Sequence, residues 1–310
     1  MMRWMLCLLA GLVFLAGCGE AETSGAAGRG DELRIVSLSP ALTQMVVDLG
    51  LGDHLVGTGE HDMAAPAGLP VVGHYADVRS ELLLAAGPTH VLTMAPSTGV
   101  PGRLRELADA GLFELAVYES PMSVSEVLAI LADGGDPPAV GEVLGRPERA
   151  QRLRARIERQ LKAIGEVTSR AEPTRALLLM SVQPVTALGP GTTHDEMLAL
   201  AGGKNAAGEV STVTAPSFDR ETLLKLEPGR LLLLMPGVES LSPGEPPLSE
   251  VRALLPGVER ERVRLINDPL TLLPSSSLPR VVGEMARALH PELAAEVDAV
   301  LEAEASGGGR

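Results

Sequence analysis

The sequence predicts an α/β protein of two similar lobes, each with a central, mostly parallel sheet, joined by a single long α-helix. Short apolar strand candidates alternate with helical runs along most of the chain, a pattern typical of parallel sheets covered by helices. Residues 147–169 form an uninterrupted helical pattern. Residues 81–88 (ELLLAAGP) and 221–228 (ETLLKLEP) each place a glutamate seven residues before a proline, and an aliphatic strand candidate follows both. This repeat indicates two lobes of the same plan.

The first lobe is predicted over residues 33–146. Its strand candidates are residues 33–38, 54–57, 71–72, 90–94 and 115–118, and its helix candidates are residues 41–49, 77–86, 101–110 and 123–133. Gly50 ends the first helix as a C-terminal glycine does, and Ser123 with Glu126 forms a capping box that begins the last. Strands and helices alternating in this way favour a Rossmann-like lobe.

The linking helix is predicted over residues 147–170, after a glycine- and proline-rich break at residues 134–138. Pro147 suits its first turn. A helix of about 22 residues is roughly 33 Å long, enough to act as a stiff rod between two lobes. Its apolar residues recur at spacings of three or four, as expected for one buried face: Ala150, Leu153, Ile157, Leu161 and Ile164.

The second lobe is predicted over residues 171–305. Its strand candidates are residues 175–180, 230–235 and 262–266, and its helix candidates are residues 195–201, 248–255, 277–289 and 292–303, with a further helix that begins at Glu221. Met197 lies five residues before Gly202, just as Met45 lies five residues before Gly50. The two lobes therefore match in their first helices as well.

The N-terminus has the three regions of a bacterial signal peptide over residues 1–17. A short positive region ends at Arg3, an apolar region runs over residues 4–14, and Leu-Ala-Gly-Cys at residues 15–18 resembles a lipobox. This pattern predicts that Cys18 carries lipid, that residues 18–32 form a flexible tether, and that the protein is held at an outward-facing membrane surface, periplasmic or otherwise extracytoplasmic. An ordinary cleaved signal peptide and a short anchor helix are the alternatives.

Composition excludes several kinds of protein. A formal net charge of −14 argues against a nucleic-acid partner, which requires clustered Lys and Arg. The two cysteines are Cys7 in the apolar region and Cys18, so the mature chain has no disulfide and no cysteine nucleophile. There is no Gly-x-Ser-x-Gly elbow, phosphate loop or complete dinucleotide motif, and we expect a protein that is not an enzyme.

Candidate ligand contacts lie in predicted loops at strand and helix ends. Ligands of open parallel sheets bind beyond the carboxyl ends of the strands, where we expect Tyr75, Tyr118 and Phe218. The alternative is that these rings pack loops onto the sheets. His61-Asp62 and His74-Tyr75 offer nitrogen and oxygen donors, so that a metal could be bound by His61, His74 and Tyr75, although a solvated loop histidine is the common case. His194 is better explained as the start of a helix capped by Thr192 or Thr193.

Three blocks of sequence resemble one family. Residues 34–40 (RIVSLSP) with Leu-Val-Gly at residues 55–57 form the first block, and residues 69–73 (LPVVG) with Glu81 and Ala-Gly-Pro at residues 86–88 form the second. The third comprises residues 191–196 (GTTHDE) and 201–205 (AGGKN). Together they resemble the periplasmic substrate-binding proteins of ABC importers for cobalamin, ferric siderophores and haem, over residues 34–292.

The resemblance implies two lobes joined by one long helix, a monomer, and partners comprising an ABC permease and its ATPase. It implies that Glu81 and Glu221, one on each lobe, meet arginines of the permease. The ligand would be a corrinoid or a ferric siderophore held between the lobes, with haem as the alternative and no intrinsic cofactor. A surface lipoprotein for sensing or scaffolding is the alternative of another class. The candidate ligand contacts are Ser39, Pro40, His61, Asp62, His74, Tyr75, Tyr118, His194, Phe218 and Arg280.

Overall fold

The computed structural model describes residues 32–95 and 99–307. The predicted signal peptide, Cys18 and most of the tether lie outside the described residues. Residues 33–310 group into one compact unit, and all that follows concerns this unit. Among the described helices, none is both long and apolar enough to cross a membrane.

The strands of the first lobe are β1 (Ile35–Ser37), β2 (Leu55–Thr58), β3 (Gly73–His74), β4 (Asp77–Val78), β5 (His90–Ala95) and β6 (Glu114–Glu119). Four of them form a parallel sheet of order β2-β1-β5-β6. The helices are α1 (Pro40–Asp48), α2 (Ser80–Ala86), α3 (Gly102–Asp109), α4 (Val124–Ala132) and α5 (Val140–Val143). Strands β3 and β4 form a separate antiparallel pair.

Helix α6 (Pro147–Thr168) connects the lobes. The strands of the second lobe are β7 (Thr174–Val182), β8 (Val185–Ala187), β9 (Gly203–Asn205), β10 (Arg230–Leu234) and β11 (Val263–Ile266). They form a mixed five-stranded sheet in which β11, β10, β7 and β9 are parallel and β8 is antiparallel to β7. The helices are α7 (Thr193–Leu200), α8 (Arg220–Leu226), α9 (Leu248–Leu254), α10 (Leu278–Leu289) and α11 (Ala294–Gly307). The predicted fold class is confirmed.

Helix α6 buries the apolar face that its sequence predicts. All five predicted face residues are at most 6% exposed. The helix packs on α4 and α5 of the first lobe and on α7, α10 and α11 of the second. One hydrophobic cluster consequently includes Leu92 in β5 of the first sheet, Ile157 of the helix and Leu178 in β7 of the second sheet. The lobes share a core through this helix.

The helix predicted over residues 77–86 is wrong at its start. Asp77 and Val78 instead pair with Gly73 and His74 as a short hairpin, and the helix begins at Ser80. The Arg79 amide donates to the Val72 carbonyl at 2.9 Å, which holds this backbone extended. The capping box is confirmed in part: Ser123 Oγ accepts from the Glu126 amide, whereas the Glu126 carboxylate accepts from the Met122 amide at 2.7 Å.

The repeated glutamate–proline segments form matching helix–strand units, each capped by an arginine. Arg34, just before β1, donates to the carbonyls of Ala86 and Gly87 at the end of α2, at 2.6 and 2.9 Å. Arg175, in β7, donates to the Glu227 carbonyl at the end of α8 at 2.9 Å. A cation at a helix C-terminus satisfies free carbonyls and complements the helix dipole. The duplication therefore extends to a side-chain contact.

The residue after each of these helices adopts left-handed backbone geometry. It is Gly87 in the first lobe, with φ 58°, and Glu227 in the second, with φ 40°. Left-handed geometry costs a non-glycine residue on the order of 1 kcal/mol. We predict that Glu227→Gly raises the free energy of unfolding by about 1 kcal/mol, and that Gly87→Ala lowers it by a similar amount.

Urea unfolding of the two variants and the wild-type chain measures both changes. The Gly87 variant is a clean comparison because an added Cβ would come no closer than 3.8 Å to its nearest neighbour outside the adjacent residues. Equal stabilities for all three chains would show that the left-handed positions carry no strain.

Candidate ligand-binding cleft

The carboxyl ends of the parallel strands bring several of the predicted site residues to one edge of each sheet. Ser39 and Pro40 follow β1, and His61 and Asp62 follow β2. Ser39 is buried, and its carbonyl accepts hydrogen bonds from Thr43 and Ser37 at 3.1 Å, so its role here is to begin α1. Ligands of parallel sheets bind at this edge.

Asp62 is anchored by hydroxyl groups from two elements of the first lobe. Thr43 Oγ1 in α1 and Thr58 Oγ1 in β2 donate to Asp62 Oδ2 at 2.6 and 2.8 Å, and the Ala64 amide donates to Oδ1 at 3.0 Å. The adjacent His61 is exposed and has φ 57°. These bonds fix the loop backbone, so His61 projects from a rigid support.

His74, the last residue of β3, and Tyr75, which follows it in the turn to β4, form a ring pair. Their ring centroids are 3.9 Å apart and tilted by 48°. His74 Nδ1 accepts from the Ala76 amide at 3.3 Å, which leaves Nε2 as the proton-bearing nitrogen of the neutral ring. Both residues are half-buried. Among the described residues, no three His, Cys, Asp or Glu side chains are grouped to hold a metal ion.

Tyr118 was placed both at the end of the strand predicted over residues 115–118 and among the loop candidates, and only the strand assignment is right. Tyr118 belongs to β6, is 3% exposed, and donates its hydroxyl to the Pro138 carbonyl at 2.9 Å. Burial, reinforced by Glu114 and Glu142, raises the pKa of Tyr118 well above its usual range. The ring faces the core because it lies at an inward position of the strand, and it offers no surface to a ligand.

His194 is also buried rather than available to a ligand. It is 6% exposed, and its Nε2 donates to the Thr271 carbonyl at 2.8 Å. The predicted cap of this helix is Thr192, whose hydroxyl accepts from the Asp195 amide at 3.2 Å. His194 thus fastens the β11–α10 loop, residues 267–277, to the start of α7.

The remaining candidates lie on the second lobe and already have partners. Arg280 forms an ion pair with Asp268, and Phe218 is half-buried against the core of that lobe. Of the other arginines, Arg79 donates to the Val71 carbonyl at 2.8 Å and Arg220 to the Leu254 carbonyl at 3.1 Å. These contacts use one or two of the five N–H donors of each guanidinium.

A cavity of about 600 Å³ opens at the carboxyl ends of β7 and β10. Sequence reasoning missed it, because its lining comes from segments far apart in the chain. Its lining is mainly apolar, with Glu250 as its one ionisable side chain. The residues are Met180, Ser181, Val182, Gln183, Leu234, Met235, Pro236, Val238, Pro246, Pro247, Glu250 and Leu272.

Three hydrogen bonds join the lobes beside these edges. Thr193 donates to the Pro121 carbonyl at 2.9 Å, and the Val124 amide donates to Glu196 at 2.7 Å. These bonds connect the loop that follows β6 to the first turn of α7. In the third, Ser276 Oγ donates to Asp48 Oδ2 at 2.7 Å, at the end of α1. The β11–α10 loop therefore contacts the first lobe through Ser276 while its Leu272 lines the cavity.

Comparison with known proteins agrees with this arrangement. The family described as periplasmic binding protein matches residues 138–249. The periplasmic heme-binding protein RhuT from Roseiflexus sp. RS-1 superposes with a TM-score of 0.67 over 84% of this chain and 99% of its own, at 24% identity.

This chain has the fold of a periplasmic binding protein.

Two further proteins support the resemblance predicted from the sequence, which is confirmed. A vitamin B12-binding protein of Yersinia pestis (strain Pestoides F) is 26% identical over 198 residues, which cover 63% of this chain and 67% of that protein. The periplasmic vitamin B12 binding protein BtuF of Vibrio cholerae superposes with a TM-score of 0.63 over 83% of this chain and 96% of its own, at 24% identity. These are binding proteins and not enzymes, and their periplasmic location agrees with the expected extracytoplasmic one.

The burial of His194 predicts a pH dependence of stability. Burial lowers the pKa of His194 below its ordinary value, and the hydrogen bond to Thr271 only partly opposes this. The unfolded chain therefore takes up a proton at this histidine before the folded chain does. Its contribution to stability is present above pH of about 6.5 and is lost as the pH falls below that value.

His194→Gln should remove this loss, because an amide can donate to Thr271 but does not titrate. Urea unfolding of both chains between pH 5 and 8 gives the difference. We expect the wild-type chain to lose more stability than the variant on the acid side; parallel curves would contradict the assignment.

Proposed function

We propose that this chain is a lipid-anchored substrate-binding protein of an ABC importer, which captures a metal chelate between its lobes and delivers it to the permease and its ATPase. The observation that carries the proposal is the apolar cavity at the carboxyl edge of the second sheet, beside the hydrogen bonds that join the lobes. Binding at this edge would let one ligand contact both lobes. The protein would act as a monomer.

Cobalamin is the first ligand to test, since the curated relative with 26% identity is a vitamin B12-binding protein. A ferric siderophore is less well supported at Arg280, because the charge of that guanidinium is balanced by Asp268. Haem is the second candidate. It is favoured by the His74–Tyr75 pair and the exposed His61, since histidine and tyrosine are both side chains that ligate haem iron.

Ligand binding should raise the melting temperature of the soluble chain, residues 19–310. A ligand at 100 times its dissociation constant adds about 2.7 kcal/mol, which for a chain of this size corresponds to a rise of roughly 5 °C or more. Cyanocobalamin, ferrichrome and haemin are tested separately, and haemin bound through His or Tyr should also give a shifted Soret band. A folded sample that shows no rise with any of the three contradicts the proposal.

The candidate permease contacts lie on the two duplicated helices, α2 and α8. Glu81 and Glu221 are exposed in the first turns of α2 and α8, the helices that lead into β5 and β10. Glu221 forms an ion pair of 2.7 Å with Lys225, one turn later. In α2 the corresponding residue is Ala85, and Glu81 has no ion pair within the described part of the chain. The two proposed contacts therefore differ in how freely their carboxylates can meet a cation.

Removing these carboxylates should abolish uptake and leave ligand affinity unchanged. We expect Glu81→Ala with Glu221→Ala to reduce transport in a strain carrying the importer by at least tenfold, since each carboxylate would lose a charged partner at the interface. Lys225→Ala should change uptake by no more than about twofold, because an exposed ion pair is worth only about 0.3–0.5 kcal/mol.

The matched control is Glu106→Ala with Glu148→Ala, two exposed helical glutamates on other helices. Full uptake by the Glu81/Glu221 variant would exclude docking through these residues.

Attachment through Cys18 rests on the sequence motif, because Cys18 lies outside the described residues. The motif predicts a thioether-linked lipid on Cys18 and recovery of the chain with membranes. Labelling with an alkyne fatty acid tests this, with Cys18→Ser as the control. A Cys18→Ser chain that still carries the label would contradict lipidation at this residue.

A further inference from the structure

The methionines of the described chain divide into two groups with different surroundings. Met45, Met197 and Met285 lie in helices and are at most 1% exposed, as core residues are. The other five are not buried, and three of them are more than a third exposed. We call these five the methionine rim: Met63, Met94, Met122, Met180 and Met235.

Every member of the methionine rim lies at or just beyond the carboxyl end of a strand. Met94 is the penultimate residue of β5, Met180 is near the end of β7, and Met235 directly follows β10. Met63 follows β2 by five residues, and Met122 follows β6 by three. The rim therefore includes residues from both lobes, and all of them lie at the edges where parallel sheets bind ligands.

The second-lobe members share one surface. Met180 and Met235 both line the 600 Å³ cavity, together with Leu272. Strands β7 and β10 are neighbours in the sheet, and the pairing of Leu233 with Leu179 places Met180 beside Leu234, the residue before Met235. Met180 is 38% exposed, so its thioether is accessible to a molecule that enters the cavity.

The first-lobe members are held on fixed backbone near the lobe junction. Met122 lies between Pro121 and Val124, which are both hydrogen-bonded to α7 of the second lobe, yet its side chain is 43% exposed. Met63 follows Asp62, whose carboxylate is held by Thr43 and Thr58, and is 51% exposed. The backbone is ordered here while the apolar side chains remain open to solvent.

Exposed methionines with fixed backbones are suited to a large polarisable surface. The thioether is soft, adapts to irregular shapes and makes favourable contacts with conjugated rings. The mature chain has only four aromatic residues, of which Phe113 and Tyr118 are buried. Aromatic side chains therefore supply little of the apolar contact at the carboxyl edges.

Resting on the proposed function, we infer that the methionine rim is the contact surface for the conjugated ring of a metal macrocycle, a corrin or a porphyrin. Methionine takes the place that aromatic side chains would otherwise fill. Thioethers carry no charge, and the one arginine among the candidate ligand contacts, Arg280, is paired with Asp268. The rim thus favours an apolar conjugated ring over an anionic siderophore.

The test compares two triple variants at the three exposed positions. Met63, Met122 and Met180 are changed together to Gln, which has a similar length but a polar end, or together to Leu, which stays apolar. Affinities for cyanocobalamin and for haemin are measured on the soluble chain. For the macrocycle that the wild-type chain binds, we expect the Gln variant to bind at least tenfold more weakly and the Leu variant to stay within about threefold.

The control changes exposed apolar residues outside the methionine rim. Leu84 in α2 and Leu224 in α8 are 38% and 47% exposed, and Leu84→Gln with Leu224→Gln should leave affinity unchanged. Thermal unfolding shows whether each variant is folded. A folded Gln variant that binds within threefold of the wild-type chain overturns the rim alone. A folded wild-type chain that binds neither macrocycle overturns the proposed ligand class itself.

Discussion

The apolar face of α6 is the constraint on which the arrangement of the two lobes depends. Ile157, near the middle of the helix, belongs to a cluster that reaches beneath both sheets. Replacing one such residue by alanine costs about 2–5 kcal/mol. A rod that is buried along its length in both lobes resists bending, so the lobes keep their relation when a ligand arrives. Apolar packing is not directional, and the hydrogen bonds of Glu196, Thr193 and Ser276 to the first lobe supply directional contacts between the lobes.

Fixed lobes present different chemistry on their duplicated helices and in their loops. The duplicated helices α2 and α8 present a glutamate each in their first turns, and an arginine fastens the far end of each helix to its sheet. At the carboxyl edge, loops of unequal length carry the cavity, the His74–Tyr75 pair and the methionines. The two lobes are alike in the helices that carry the proposed permease contacts, and they differ in the loops where a ligand would bind.

Sequence patterns predicted most of the fold because the patterns are local. The spacing of Ile157 and its neighbours required only a helical period, and the repeat of Glu81 and Glu221 required only two matching segments. Tyr118 was predicted incorrectly because a strand end and a loop start look alike when the next residues are Glu, Ser and Pro. His194 was among the ligand candidates because a histidine at a helix start gives no sign of the loop that covers it.

The candidate site was only partly predictable for the same reason. His61 and Asp62 were placed correctly at the end of a strand, but the threonines that anchor Asp62 come from elements 4 and 19 residues away. The cavity depends on β7, β10, α9 and the β11–α10 loop meeting at one edge. Contacts between distant loops depend on packing, and no periodic pattern in the sequence predicts them.

The most direct test of the account is hydrogen–deuterium exchange of the soluble chain with and without saturating cyanocobalamin, and in parallel with haemin. If one ligand bridges two lobes that α6 holds in place, exchange should slow in both lobes, at residues 59–63 and 122–124 and at residues 181–183 and 235–238. Amides of α6 should exchange slowly in both states. Protection confined to one lobe, or faster exchange in α6 on binding, would contradict a cleft formed by two fixed lobes.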